Sequence, residues 1–314
     1  MVELFNVITP IFLLIFLGFI SIRLKLLDRA DYSSLTSFVM KVSFPCLLLT
    51  KLSVIDLSQH FRWDILLIFA ICSLLLAAGS IQFFRRVLGR QDTLAVLQGG
   101  IGVSLSNNGF IGYPVLFLAF ASPPMTTYAT VLLVENLIMI PLIILLLNRS
   151  KPAEIDLSKG QCTDEIIHQL VRNPILIAVM AGLIISLMSI DLPEFLSLPL
   201  SLLGTAAAPL AVFTIGMALV GIPSIADMTD IAWTSVGKLI LHPTLVAASC
   251  ALFVDNFHDP DIYAVILLAS SPMASLYPVF GANYGSPNLT ASCLTTTTLL
   301  SLITISGWIL ILGI

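Results

Sequence analysis

Three polar side chains interrupt a long apolar stretch of this chain: Ser106, Asn107 and Asn108. They lie within Gly99-Gly100-Ile101-Gly102-Val103-Ser104-Leu105-Ser106-Asn107-Asn108-Gly109-Phe110-Ile111-Gly112-Tyr113-Pro114. Glycines and a proline at this density weaken a helix, by about 1 kcal/mol for each glycine and about 3 for proline. Adjacent asparagines bring amides that hydrocarbon cannot satisfy. Inside a membrane such backbone is tolerated only where it is buried in protein or lines a cavity. A second stretch repeats the theme: Ser270-Ser271-Pro272-Met273-Ala274-Ser275-Leu276-Tyr277-Pro278. Two helices broken at corresponding points could cross at the midplane. Their half-helix N-termini would offer unpaired N–H groups and partial positive charge to a carboxylate or another anion. The candidate substrate site is therefore Ser106, Asn107 and Asn108, with the backbone around Gly112, Pro114, Pro272 and Pro278.

Ionisable residues inside apolar runs are expensive and usually functional. Glu135 lies roughly 14 to 18 Å from either end of its run at 1.5 Å per residue. It could carry a proton, act as counter-ion to Lys238, or be hydrogen-bonded for packing by neighbouring Asn136. Lys238 lies well inside its own run, and His242 follows one turn later on the same face. The lysine could replace a coupling cation, pair with substrate, or extend its stem to the membrane edge. His242 could titrate near neutral pH or bond locally beside Pro243. Glu135, Lys238 and His242 are the candidate coupling residues. Lys41 lies nearer an end and is expected to snorkel.

These residues sit in a duplicated frame. Pro10, Pro45, Pro114 and Pro123 each have a partner 164 residues on: Pro174, Pro209, Pro278 and Pro287. Gly18/Gly182, Thr50/Thr214 and Ser106/Ser270 share the lag, as do Tyr113-Pro114-Val115 and Tyr277-Pro278-Val279. Matching interrupted helices in two halves are the usual pointer to the binding site of a secondary transporter. A span needs about 20 mostly apolar residues. On that count the chain offers ten: 4–22, 34–53, 64–84, 93–120, 126–147, 172–190, 197–220, 231–254, 261–283 and 288–313. The expected fold is an all-α integral membrane protein. Its first five-helix repeat covers 1–149, a cytoplasmic linker 150–171, and a second repeat 172–314. The odd number of spans requires the second repeat to be inverted, with helices 4 and 9 as broken crossovers.

Composition agrees: 58% of residues are apolar, 10% are charged, and mean hydropathy is +1.03. A soluble domain carries roughly 25% charged residues. The net charge of −4 and short basic clusters argue against nucleic acid as a partner. The five cysteines form no CxxC pair, so neither a metal site nor a disulfide framework is expected. Residues 4–22 are too long for a signal h-region and follow no basic residue, so they are expected to be a first span. Of the fourteen basic residues, Arg23, Lys25, Arg29, Arg85, Arg86, Arg90, Arg149, Lys151, Lys159 and Arg172 fall on odd-numbered loops. The positive-inside rule then places those loops in the cytoplasm and both termini outside. Trp63, Trp233 and Trp308, near span ends, are expected to anchor at the interface. The run Thr295-Thr296-Thr297-Thr298 is expected to serve helix packing, with one face able to line a cavity. There is no HExxH, P-loop or GxSxG, and the four histidines (His60, His168, His242, His258) are far apart. No enzyme and no cofactor is expected, and catalytic residues are none.

Here the sequence also resembles a family. Asn107, Gly112 and Pro114 match the Asn-x4-Gly-x-Pro crossover of the auxin efflux carrier family, and Pro272 with Tyr284-Gly285 resembles the second crossover of its bacterial members. Arg172-Asn173-Pro174, the run Pro209 to Met217, and Lys238 to Pro243 resemble its sixth, seventh and eighth helices. The resemblance implies a dimeric, elevator-type carrier of organic anions. Spans 1, 2, 6 and 7 would form its scaffold; spans 3–5 and 8–10 would move. The short central loop resembles that of the compact bacterial branch, whose proposed substrates include malonate and malate. Leu276 stands where many bacterial relatives have a polar residue, and Glu135 where many members have an amide. The expected function is a permease of small organic anions, carboxylates first, in a bacterial inner membrane. Its partners would be lipid, a second copy of itself, and a coupling proton or sodium ion if it is not a uniporter. Amphipathic weak acids of the auxin type, or a channel or sensor on the same fold, remain the alternatives.

Overall fold

The computed structural model describes residues 2–54, 61–150, 172–218 and 228–314. Among them the chain is helical, without strands. Most of the expected linker, together with Cys162, His60 and His168, lies outside the described residues.

Helix α1 is Val2–Arg23. Helix α2 covers 29–52 and starts five residues before the expected 34. The reason is a capping box: Asp28 Oδ1 accepts from the N–H groups of Ala30 and Asp31, and Asp31 Oδ2 accepts from Asp28 N–H. Helix α3 is Trp63–Arg86. The fourth expected span is two half-helices, α4 (92–104) and α5 (108–119), and α6 covers 125–149. Then follow α7 (Pro174–Leu187), α8 (Glu194–Thr205), α9 (Ala207–Ala218) and α10 (228–253). The ninth expected span is again two pieces, α11 (Pro260–Ser270) and α12 (Tyr277–Asn283), and α13 is Pro287–Leu312. Prolines suit the first helical turn, whose N–H groups lack intrahelical partners anyway. Pro174, Pro260 and Pro287 each begin a helix, and Asn173 and Asp259 cap two of those ends. Among the described residues six helical stretches, α8 and α9 counted together as one, are long and apolar enough to cross a membrane: 30–52, 63–86, 125–147, 194–218, 228–253 and 287–312.

Prolines further along helices leave a different mark. Proline cannot donate to the carbonyl four residues back, and its ring clashes with it. Four times the turn before a proline widens to a π-helical one, the preceding residue donating five residues back. These bonds are Phe44 to Val39, Tyr113 to Asn108, Ile140 to Glu135, and His242 to Gly237. Such turns concentrate at functional sites, and Glu135 and Lys238 are each the second residue of one.

Small residues let α1 and α9 touch backbone to backbone. A Cβ on Gly18 would fall on the carbonyl of Phe213, and one on Gly216 on the carbonyl of Ile15. Gly182 on α7 faces the Leu49 carbonyl of α2 at 3.3 Å from its Cβ position. Gly182 stands 164 residues after Gly18, and Leu49 stands 164 before Phe213, so the same contact recurs with the halves exchanged. Two ion-pair clusters fix the far ends of α3. Arg62 meets Asp64 and Asp259 at 2.6 Å each, and Arg90 meets Asp230 at 3.0 Å. The starts of α3 and α11 therefore lie together at one end, and the end of α3 lies beside the start of α10.

Candidate functional site

The two breaks are fastened to each other. Asn107 N–H donates to the Pro272 carbonyl at 2.7 Å, and Ala274 N–H to the Leu105 carbonyl at 3.3 Å, an isolated antiparallel bridge centred on Ser106 and Met273. Backbone that has left its helix must find partners when buried. Here each break supplies the other's.

Buried charge gathers behind this crossing. Glu135 Oε1 accepts from Ser106 N–H and from Asn108 Nδ2, both at 3.0 Å. Lys238 Nζ donates to Ser106 Oγ at 2.6 Å and to the Ala269 carbonyl at 3.0 Å, and it lies 2.8 Å from His242 Nδ1. With Nδ1 accepting from the ammonium, the other ring nitrogen faces Ser73 Oγ at 3.2 Å. Lys238 and His242 are fully buried, and Glu135 is 5% exposed. Acid and base are thus joined through Ser106 rather than by direct contact. Two readings left open by the sequence close here. Lys238 does not run to the membrane edge. Nor does Asn136 serve Glu135: its Nδ2 donates to the Leu132 carbonyl and its Oδ1 accepts from Asn173.

In front of the crossing lies a cavity of about 80 Å³. Its polar lining is Tyr32 and Thr36 from α2, Asn107 and Ser275 from the two breaks, Thr214 from α9, and Thr295 and Thr298 from α13. None of its lining residues is charged. A smaller apolar cavity beside Pro114 shares Ile215 and Thr298 as walls.

Of the seven residues expected to hold substrate, Asn107 alone lines the polar cavity. Its Oδ1 also caps α5 through Phe110 N–H at 3.3 Å. Ser106 and Asn108 face the charges instead, and Tyr128 donates to the Asn108 carbonyl at 3.1 Å. Gly112 is where Asn108 and Leu268 leave no room: a Cβ there would stand 2.5 Å from Asn108 Oδ1 and 2.9 Å from Leu268. Pro114 lines the apolar cavity, Pro272 gives its carbonyl to the bridge, and Pro278 sits in the first turn of α12. At the first crossing, where half-helix N–H groups were expected to be unpaired, the N–H of Phe110 is bonded to Asn107 Oδ1 and that of Ser106, before the half-helix, to Glu135. Tyr32, Thr36, Thr214, Ser275 and Ser73 were not among the residues expected at the site. Thr214 was visible as the lag partner of Thr50, and Ser275 lay inside the second break. Nothing in the local sequence distinguished Thr36 or Ser73.

Long apolar helices around a polar, broken interior are the build of an integral membrane transport protein. The family described as "Membrane transport protein" matches residues 4–309, and the chain belongs to it; this is the auxin efflux carrier family. A protein of Rhizobium meliloti (strain 1021) named "Putative malonate transporter" is 27% identical over 319 residues, covering 98% of this chain and 95% of its own length. An "Uncharacterized transporter" of Methanothermobacter thermautotrophicus (strain Delta H) is 29% identical over 316 residues, covering 97% of each. The family is one of transporters, so the substrate is a small molecule and the protein is embedded in a membrane.

Proposed function

We propose that the protein is a secondary carrier of small organic anions, carboxylates first, working by an elevator movement in a bacterial inner membrane. The observation that carries this reading is the pair of broken segments bonded to each other beneath a cavity lined by neutral hydrogen-bond donors. Asn107 and Ser275 hold the anion, helped by the hydroxyls of Thr36, Thr214, Thr295 and Thr298. Ser106, Asn108, Gly112, Pro114, Pro272 and Pro278 shape and brace the crossing. Glu135, with Lys238 and His242, couples transport to a proton, through Ser106 at the break itself. The name of the Rhizobium meliloti relative supports a carboxylate substrate.

The architecture we infer is ten spans in two inverted repeats, 1–149 and 172–314, joined by a cytoplasmic linker at 150–171, with both termini outside. The exchanged contacts of Gly18 with Phe213 and Gly182 with Leu49 support the repeat. Helices α1, α2, α7, α8 and α9 form the scaffold of a homodimer, and the crossing moves with α3, α6, α10 and α13.

The test is uptake of labelled malonate, malate, lactate and indole-3-acetate into proteoliposomes, with and without an imposed pH gradient. Saturable uptake of a carboxylate is expected. Ohmic, unsaturable flux would instead establish a channel, and no uptake by folded protein would remove the carboxylate assignment.

A further inference from the structure

Away from the crossing, α3 and α10 part to leave a groove of about 340 Å³. Its walls are Leu75, Gly79 and Phe83 on one side and Trp233, Gly237 and Leu241 on the other. Leu75 is 62% exposed and Leu241 50%, so the groove faces outward along its length. It is open because of glycine: a Cβ on Gly79 would meet nothing within 4 Å. Gly237 is instead pressed on Val103, whose side chain stands 2.8 Å from its Cβ position and forms the floor. At one end Phe83 and Trp233 meet edge to face, ring centroids 5.0 Å apart. Tryptophan, with its polar indole N–H, settles at the level of lipid headgroups.

Three arginines stand at that same end. Arg85 is paired with Asp92 at 2.9 Å and Arg90 with Asp230 at 3.0 Å. Arg86, exposed and one helical turn beyond Phe83, has no ion-pair partner among the described residues. A slot of acyl-chain character thus ends at an aromatic pair and a guanidinium that no carboxylate among the described residues neutralises, a group that favours phosphate oxygens in bidentate geometry. We propose that this groove is a binding site for one anionic glycerophospholipid, an acyl chain lying between α3 and α10 and the headgroup on Arg86. Its floor is Val103, two residues before the first break, and its wall includes Gly237, next to Lys238. The lipid therefore lies against the back of the crossing, where it can set how readily the break rearranges. This inference requires only membrane embedding and is independent of which solute is carried.

Trp233 is the natural reporter. In the full-length protein carrying Trp63→Phe and Trp308→Phe, it is the remaining tryptophan. Its emission would be recorded in nanodiscs of phosphatidylcholine titrated with dibrominated phosphatidylglycerol, or with dibrominated phosphatidylcholine as control. The glycerol lipid should quench with an affinity about fivefold higher, the preference that one basic side chain near the headgroups provides. Arg86→Gln should abolish that preference. Gly79→Leu, whose Cβ would meet nothing within 4 Å and whose side chain takes up groove volume, should weaken quenching by both lipids while helix content and elution volume stay unchanged. Equal quenching by the two lipids identifies ordinary annular lipid and overturns the site. A preference that survives Arg86→Gln overturns the headgroup assignment.

Discussion

Lys238 reaches the hydroxyl of Ser106 at 2.6 Å, which sets a buried ammonium directly against the break in the first crossover. Glu135 holds the same residue by its N–H at 3.0 Å. One serine therefore carries both buried charges, on the backbone that the proposed mechanism must move.

Removing one of these charges leaves the other without compensation, a change that costs about 3–5 kcal/mol for a buried pair. Lys238→Met should lower the thermal midpoint sharply and stop transport. Adding Glu135→Gln to it should restore much of the stability and none of the transport. A double-mutant cycle on unfolding measures this; strict additivity would show that the two charges do not communicate through Ser106.

Glu135→Gln alone keeps an oxygen to accept from Ser106 and Asn108 but can neither lose nor gain a proton. Its uptake should be the same with or without an imposed pH gradient, whereas wild-type uptake should respond. An unchanged pH response would remove Glu135 from coupling.

Asn107 has two tasks, capping α5 and lining the cavity, and they can be separated. Asn107→Ala should lose about 1 kcal/mol from the missing cap and abolish uptake. Asn107→Asp keeps the cap but places negative charge in a cavity that has no cation. It should fold normally and still fail to take up anions. Normal uptake by the aspartate variant would move the anion away from Asn107.

The neutral lining makes a further claim. With no charged side chain to dominate affinity, single hydroxyls should matter. Ser275→Ala and Thr36→Ala should each raise KM roughly five- to tenfold, the effect of one hydrogen bond of about 1 to 1.5 kcal/mol. Leu276→Ala, one residue from Ser275, should leave KM unchanged.

Gly216→Ala should cost about 2 kcal/mol or more of stability, because the added methyl falls on the Ile15 carbonyl and α1 and α9 must separate. Gly79→Ala, in open space, should be neutral or stabilising through helix propensity. Paired thermal melts of the two variants check this; equal effects would deny the close approach of α1 and α9.

Much is legible in the residue types themselves. Hydrocarbon forces apolar runs of fixed length and leaves charged residues few places to go, so six long apolar helices, the two breaks and the burial of Glu135 and Lys238 follow from residue types alone. The early start of α2 was missed because the capping box of Asp28 and Asp31 lies in polar sequence outside the apolar run. The widened turns were missed because a proline in a helix announces a lost hydrogen bond, not which carbonyl will take the next N–H. The tertiary structure alone decided which side of each break faces the cavity. Asn107 looks into it, while Ser106 and Asn108, its neighbours in the chain, turn back to Lys238 and Glu135. Adjacent residues on broken backbone point in different directions. What they meet is set by other helices, Glu135 from 27 to 29 residues along and Lys238 from 132, so no local pattern can contain it.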